Sequence, residues 1–485
     1  LFNGSVATNV GLNAFAPLET TTDVHAHRFF VSGKDQITVG NGLINVGIAS
    51  DTDHLDRVPQ GSQGFVLTPT GPRGNYFENQ TQNSSRWQGL ADAIFSGRNW
   101  HGSHDLRFGG NIDRTHLDQA SIRHTVQVEQ SDGTVVRVAS FAGIGVNGNV
   151  SASVLQGGGY AQDAWQLRRD VILQSTFRID VNNFVGKPAP QPRLILNWTP
   201  GKRLSKFSAG WGLYYQPVYS ALIAQSHDEI RLDTLFSSPN FAQLISTLFR
   251  GGSNLRQPFF NMSSVEWEQQ WNNKTSSSVH LTQRRQHHGL SYENVSLSPA
   301  LQDMLLTDHR SDRYESAELT MRRSLREGSE VMVDYTYSRA RSNQIFTYSL
   351  EDLVLSTQAG GPLPWDVPHR VISRGALPTK RGGLLWSYFA EYHTGFPFTA
   401  VNSRYVVVGV PDSFRYPAYF SLNIGVEKRF PFYRQQWALR LAIINLTGHP
   451  NPNTVINNVD APNFGTFAGG QSRAFTFRLR FVGRS

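Results

Sequence analysis

The sequence predicts an all-β fold, a transmembrane antiparallel β-barrel. Three observations predict it: a hydrophobic period of two, apolar runs of about ten residues, and very short connections alternating with very long ones. The period comes first. Leu106, Phe108 and Ile112 alternate with Arg107, Asn111 and Asp113; Val171, Leu173, Phe177 and Ile179 alternate with Gln174, Thr176, Arg178 and Asp180. The same holds for Phe207 to Tyr215, Val331 to Tyr337, Phe420 to Val426 and Trp437 to Ile443. At the end of the chain, Phe475, Phe477, Leu479 and Phe481 alternate with Ala474, Thr476, Arg478 and Arg480. Successive strand side chains point to opposite faces, so each run has one apolar and one polar face. About 18–20 such segments can be marked. One short helical candidate, Asn240–Phe249, lies within a connection.

Length and connection supply the other two arguments. The runs approach the 9–11 or so residues that cross a bilayer obliquely, and no stretch reaches the ~18 apolar residues of a transmembrane helix. Tight turns are expected at Arg168–Asp170, Pro200–Ser205, Leu325–Ser329, Thr379–Gly382 and Pro431–Gln436. Between the hairpins lie long, polar connections, read as irregular: Pro217–Met262, Leu297–Asp312, Arg341–Val367, Pro397–Arg415 and Gly448–Gln471. Outer-membrane barrels sort their loops this way, whereas long connections are uncommon in compact soluble domains. If Pro431–Gln436 is a periplasmic turn, the C-terminus is periplasmic.

Composition agrees. Charged residues make up 17% of the 485 and aromatic residues 12%. The absence of Cys excludes disulfides, thiolate metal sites and Cys nucleophiles. The net charge of +8 comes from scattered basic residues rather than a basic block, which argues against a nucleic-acid partner. Leu1 is not Met and no signal segment leads the chain, so the expectation is a mature, trimmed or partial sequence.

Sites of chemistry are few. Gly143-Ile-Gly-Val-Asn-Gly148 has G-x-G-x-x-G spacing but leads into an alternating, strand-like run, so a glycine-rich loop is expected. Asp51-Thr-Asp-His-Leu-Asp56 lacks EF-hand spacing. His25/His27, His101/His104 and His287/His288 have no identifiable third ligand. No nucleophile elbow is present. The expectation is no catalysis, no cofactor and no metal. The polar parity is read as lumen-facing, with Arg178, Arg193, Arg322, Arg440, Arg478 and Arg480 among acidic residues: a hydrated wall or plug interface first, an anion-selective ladder second. Phe241, Phe249, Phe259 and Phe260 in the largest connection are the candidate ligand contacts.

These runs carry a resemblance. YAQDAWQLRRDVILQSTFRID (Tyr160–Asp180), PRLILNWTP (Pro192–Pro200), KFSAGWGLYYQP (Lys206–Pro217), WDVPHR (Trp365–Arg370), HTGFPFT (His393–Thr399), LAIINLTGHPN (Leu441–Asn451) and the last strand follow one another as in TonB-dependent receptor barrels. They most resemble the large Oar-like receptors with an N-terminal carboxypeptidase-regulatory-like domain. The resemblance covers Tyr160–Phe481 well and the first third loosely. It implies a barrel of about 22 strands around a plug, of which this chain is one barrel domain, residues 1–485, with plug and first strands upstream. It further implies a monomer in the outer membrane, in contact with lipid and lipopolysaccharide. Uptake of a bulky oligosaccharide, peptide or metal chelate would be powered by the inner-membrane TonB complex. Phe475, Phe477, Leu479 and Phe481 resemble the C-terminal signal read by the barrel-assembly machinery. A structural or adhesive surface protein and a passive porin are the alternatives.

Overall fold

The computed structural model describes residues 2–142, 148–201, 204–238, 241–326, 328–345, 348–355, 360–379 and 383–484. Its main body is a 19-stranded antiparallel sheet. In chain order the long strands are β1 (Phe2–Val10), β2 (Thr22–Val39), β3 (Gly42–Pro59), β4 (Glu78–Asn99), β5 (Ser103–Arg123), β6 (Asn149–Arg168), β7 (Val171–Asn182), β8 (Ala189–Trp198) and β9 (Ser205–Tyr215). They continue as β10 (Phe259–Asn272), β11 (Thr275–His287), β12 (Asp312–Arg326), β13 (Ser329–Ser342), β14 (His369–Pro378), β15 (Leu384–His393), β16 (Tyr419–Phe432), β17 (Gln435–Ile444) and β18 (Ala474–Arg484). Each pairs with the next, and the two-residue Gly361–Pro362 adds to β13. The alternating runs therefore became one meander, as the period required.

The two faces of this wall are inverted relative to a soluble protein. On β7 the apolar parity is outside: Phe177 is 53% exposed and Ile179 43%. The polar parity is shielded, with Asp113 on β5 at 1% and Gln191 on β8 at 2%. Burying polar groups while leaving Phe and Ile exposed is unfavourable in water. It is favourable where the outer face meets hydrocarbon and the inner face meets a hydrated lumen.

Of the predicted tight turns, Arg168–Asp170 and Pro431–Gln436 are where the sequence placed them, while Pro200–Ser205, Leu325–Ser329 and Thr379–Gly382 lie partly outside the described residues. β6 and β7 are joined by Arg169 and Asp170, and β16 and β17 by Tyr433 and Arg434, whose φ angles of 49° and 58° give the doubly positive geometry of a tight hairpin. The opposite ends of the strands carry the long connections. Two of these, 60–77 and 124–148, fall in the region where the sequence pattern was loosest.

Whereas Arg341–Val367, Pro397–Arg415 and Gly448–Gln471 carry little strand among the described residues, the connections after β3, β5, β9 and β11 are not irregular. Eight of their segments form a second, mixed sheet in the spatial order Gly289–Asn294, Leu301–Arg310, Phe241–Arg250, Ile230–Ser238, Val135–Ala142, Val126–Glu129, Phe65–Thr68 and Gly71–Arg73. The expected helix over Asn240–Phe249 is corrected by it. Phe241, Leu244, Ile245, Leu248 and Phe249 have helical spacing, but Phe241–Arg250 is a strand paired on both sides. The gain from two ladders outweighs a short segment's local preference. The only α-helix among the described residues is Ser220–Ala224.

This cap has its own core. Phe65, Phe77, Val126, Val128 and Ala139 pack with Leu353 and against Tyr405; Phe249, Leu255, Tyr292, Met304 and Leu306 pack with Leu350. Phe65 follows β3, Leu353 follows β13 and Tyr405 follows β15. Connections so distant along a meander touch only if the wall curls into a tube. Among the described residues β1 and β18 do not pair with each other, so the wall has two edges.

Candidate functional site: the barrel lumen and its capped mouth

The inward parity of β5–β9 builds a polar patch. Arg178 donates to Asp180 (2.8 Å) and to Asn111 (2.7 Å). Gln191 donates to the same Asp180 carboxylate and accepts from Arg193 (2.8 Å), whose guanidinium lies 4.2 Å over the Tyr214 ring. Gly158 permits this: a Cβ there would meet the Ile179 carbonyl at 2.7 Å and collide with the Asp180 carboxylate. The patch lines a cavity of about 250 Å³ with Asn111, Gln156 and Gln257. Charge is largely internally balanced, with a net donor surplus at Arg193.

The other lumen candidates are spread around the wall. Arg322 pairs with Glu330 (2.6 Å) and Arg480 with Glu427 (3.1 Å). Among the described residues Arg440 reaches only Ser387 (3.4 Å), and Arg478 sits opposite Arg440 in the β17–β18 register. The structure brings Arg178 and Arg193 together and Arg440 and Arg478 together, but joins none of these to Arg322.

Nor do the four phenylalanines converge. Phe249 is buried in the cap core against Tyr292, while Phe241 is exposed. Phe259 stacks on His287, and Phe260 lies under the Arg284 guanidinium at 3.5 Å. Phe475, Phe477, Leu479 and Phe481 all project from the exposed face of β18. The strand runs on past Phe481, and Gly483 and Arg484 pair with Gln436 and Gln435.

Histidines are spent locally. His27 stacks on Phe2, His104 bonds Asp163 (2.8 Å), and His288 lies 3.6 Å from Asp308. In the acidic stretch, Asp51 pairs with Arg28, and Asp56 contacts His54 at 2.9 Å. Among the described residues no group of three potential ligands could hold a metal. Gly143–Asn147 of the glycine-rich motif lie outside the described residues.

What the sequence did not single out is the ionic framework of the mouth. Arg137, fully buried, donates to Asp233 (2.9 and 2.7 Å) and to the carbonyls of Leu353 (2.6 Å) and Arg404 (3.1 Å). Arg231 donates to Asp233 (3.0 Å) and to the carbonyls of Asp352 (2.5 Å) and Leu350 (3.2 Å). At the rim, buried Arg123 contacts Glu78 (3.1 Å), Asp228 (2.9 Å), Glu229 (3.1 Å) and Glu351 (2.5 Å). Segment 350–355 is thus clamped across the cap. Burial opposes ionisation of Glu351, yet Arg123 and local hydrogen bonds hold its carboxyl below the usual range; burial pushes neighbouring Asp352 up. The available signal was Arg231-Leu-Asp233, opposite charges two apart, which share a face only on a strand.

Comparison with solved structures decides the architecture. The outer membrane transporter YddB from Escherichia coli superposes with a TM-score of 0.67 over 99% of this chain, at 13% identity. The siderophore receptor PirA from Acinetobacter baumannii gives 0.68 over 95%, at 11% identity. The fold is that of a TonB-dependent receptor barrel. The ferric enterobactin receptor PfeA from Pseudomonas aeruginosa is also similar, at 0.64 over 94% and 13% identity. The chain spans 65% of the YddB chain and 62% of the PirA and PfeA chains. No family model and no curated protein sequence matches it. The receptor-type barrel accounts for the inverted faces, the sorted turns and the large cap in one architecture.

Proposed function

We propose that this chain is the barrel portion of a TonB-dependent outer-membrane receptor, of the Oar-like kind, that imports a bulky nutrient. Strands upstream fill the seam between β1 and β18, and an upstream plug packs against the polar inner wall and contacts the TonB complex. The chain acts as a monomer, inserted by the barrel-assembly machinery through β18, with lipid and lipopolysaccharide around it and both termini of the wall on the periplasmic side.

One observation carries the reading: an outward-apolar, inward-polar wall whose mouth is spanned by a packed, ion-paired cap. A passive porin needs an open mouth, and here connections from far-apart strands meet across it. The test is accumulation of labelled oligosaccharides, peptides and ferric chelates by cells with and without the gene, before and after a protonophore. Accumulation of one class that needs both the protein and the proton gradient is expected. Protonophore-insensitive accumulation indicates a porin, and none in any class a structural or adhesive protein.

A further inference from the structure

The rim above β15 and β16 holds a groove of about 680 Å³, lined in part by His393, Gly395 and Phe396 of the HTGFPFT run. Trp386 and Tyr392 mark the outward parity of β15, so His393, 9% exposed, points inward, and its register partner Tyr419 shares that face. The two rings are parallel, 5° apart in plane with centroids at 4.7 Å, and Phe396 packs on His393 at 5.1 Å. His393 Nδ1 lies 2.8 Å from the Thr394 carbonyl. Nδ1 therefore donates to that carbonyl, and among the described residues no protein group bonds Nε2.

The opposite side supplies amides. Asn451 spends its amide on the Phe420 backbone, accepting and donating at 2.9 Å. Asn453 and Gln471 are exposed, and no protein group among the described residues bonds their side-chain amides. No Asp, Glu, Lys or Arg lines the groove. The wall behind is rigid: Tyr416 packs on Phe398 and Phe467, each at 5.4 Å, and Phe398 on Phe414 at 5.6 Å. Gly395 and Gly470 have no room for a Cβ against the Tyr416 and Asn451 carbonyls, which fixes both edges of the groove.

Flat aromatic faces, free amides that both donate and accept, and no formal charge match the chemistry of a pyranose ring: an apolar C–H face edged with hydroxyls. We propose that this groove binds a neutral oligosaccharide, with Tyr419 and Phe396 against sugar faces and Asn453, Gln471 and His393 Nε2 on hydroxyls. The absence of a cation disfavours uronic, phosphorylated or carboxylate-bearing ligands, which would lose hydration without gaining a partner. The inference rests on the receptor reading for its biological sense, but binding itself is separable from transport.

The test is calorimetric titration of the whole protein in detergent with maltohexaose, cellohexaose and xylohexaose, alongside hexagalacturonate and a proline-rich hexapeptide. Binding of at least one neutral hexasaccharide is expected, weakened about tenfold or more in Tyr419→Ala and in the exposed double variant Asn453→Ala/Gln471→Ala, with hexagalacturonate much weaker. Circular dichroism of each variant confirms the folded barrel. The proposal is overturned if no neutral hexasaccharide binds, if binding is unchanged in the folded double variant, or if only the peptide or the uronate binds. Intact binding without energy-dependent accumulation removes the transport reading alone; accumulation without binding at the groove removes this inference alone.

Discussion

At the scale of single residues, position on the wall outweighs residue type. Phe177 and Arg178 are neighbours in sequence, yet one faces outward and the other bonds Asp180 and Asn111 in the lumen. Phe177→Arg is expected to cost about 2–4 kcal/mol if its depth is near the bilayer midplane. Arg178→Gln, which keeps a polar side chain in a hydrated lumen, should cost far less. Denaturant unfolding in bilayers measures both, and similar costs would contradict the facing assigned to β7. In the cap the sign of the charge argument reverses. Arg137→Met leaves Asp233 paired with Arg231 but takes the donor from the Leu353 and Arg404 carbonyls, and a loss of about 1–3 kcal/mol is expected. Faster proteolysis of the cap segments, with the barrel strands still protected, is the readout.

At the scale of elements, two rules compete. The strands of the wall follow their period because the lumen and the lipid-type exterior reward opposite parities. The segment Phe241–Arg250 does not follow its helical spacing, because backbone pairing with Ile230–Ser238 and Leu301–Arg310 was available. The cap is also the acid-sensitive element. The folded-state pKa of Glu351 lies below its ordinary 4.5, and that of Asp308 below 3.8. Their stabilisation is therefore full above those ordinary values and is lost as pH falls through the depressed ones. Asp352 and Glu78, both raised by burial and Glu78 to about 7, act in the opposite sense. Hydrogen exchange should show the cap amides losing protection as pH drops below about 4.5, while those of β7 and β8 keep theirs. Equal loss in both places would show that the cap is not a separate cooperative unit.

At the scale of the molecule, the sorting of connections sets an orientation. With long connections outside and tight turns inside, Leu297→Cys should react with a membrane-impermeant maleimide on intact cells. Tyr433→Cys, in the β16–β17 turn, should react only after the outer membrane is permeabilised. Both positions are exposed, and a chain with no native Cys gives no background. Reversed labelling would invert the barrel. The seam belongs to this scale too: β1 and β18 each present an unpaired ladder among the described residues, and an open edge is a site for added strands.

The period of two by itself determined most strands of the wall and their two faces, and with turn chemistry the turns at Arg168–Asp170 and Pro431–Gln436. These depend on local alternation and turn chemistry, which any window of the chain displays. Residues such as Phe177, Arg178 and Phe477 could be assigned to a face without coordinates for that reason. The cap, its buried Arg137–Asp233–Arg231 cluster and the His393–Tyr419 groove were decided only by the tertiary structure. Each joins segments tens to hundreds of residues apart, inside connections whose polar composition hides their pairing. Arg137 meets Leu353 only because the wall curls and brings its far loops over one mouth, whereas Tyr419 and Gln471 share a groove because the connections of neighbouring strands fold over one stretch of rim. No local pattern encodes that closure; it follows from the geometry of a twisted sheet whose apolar face is turned outward.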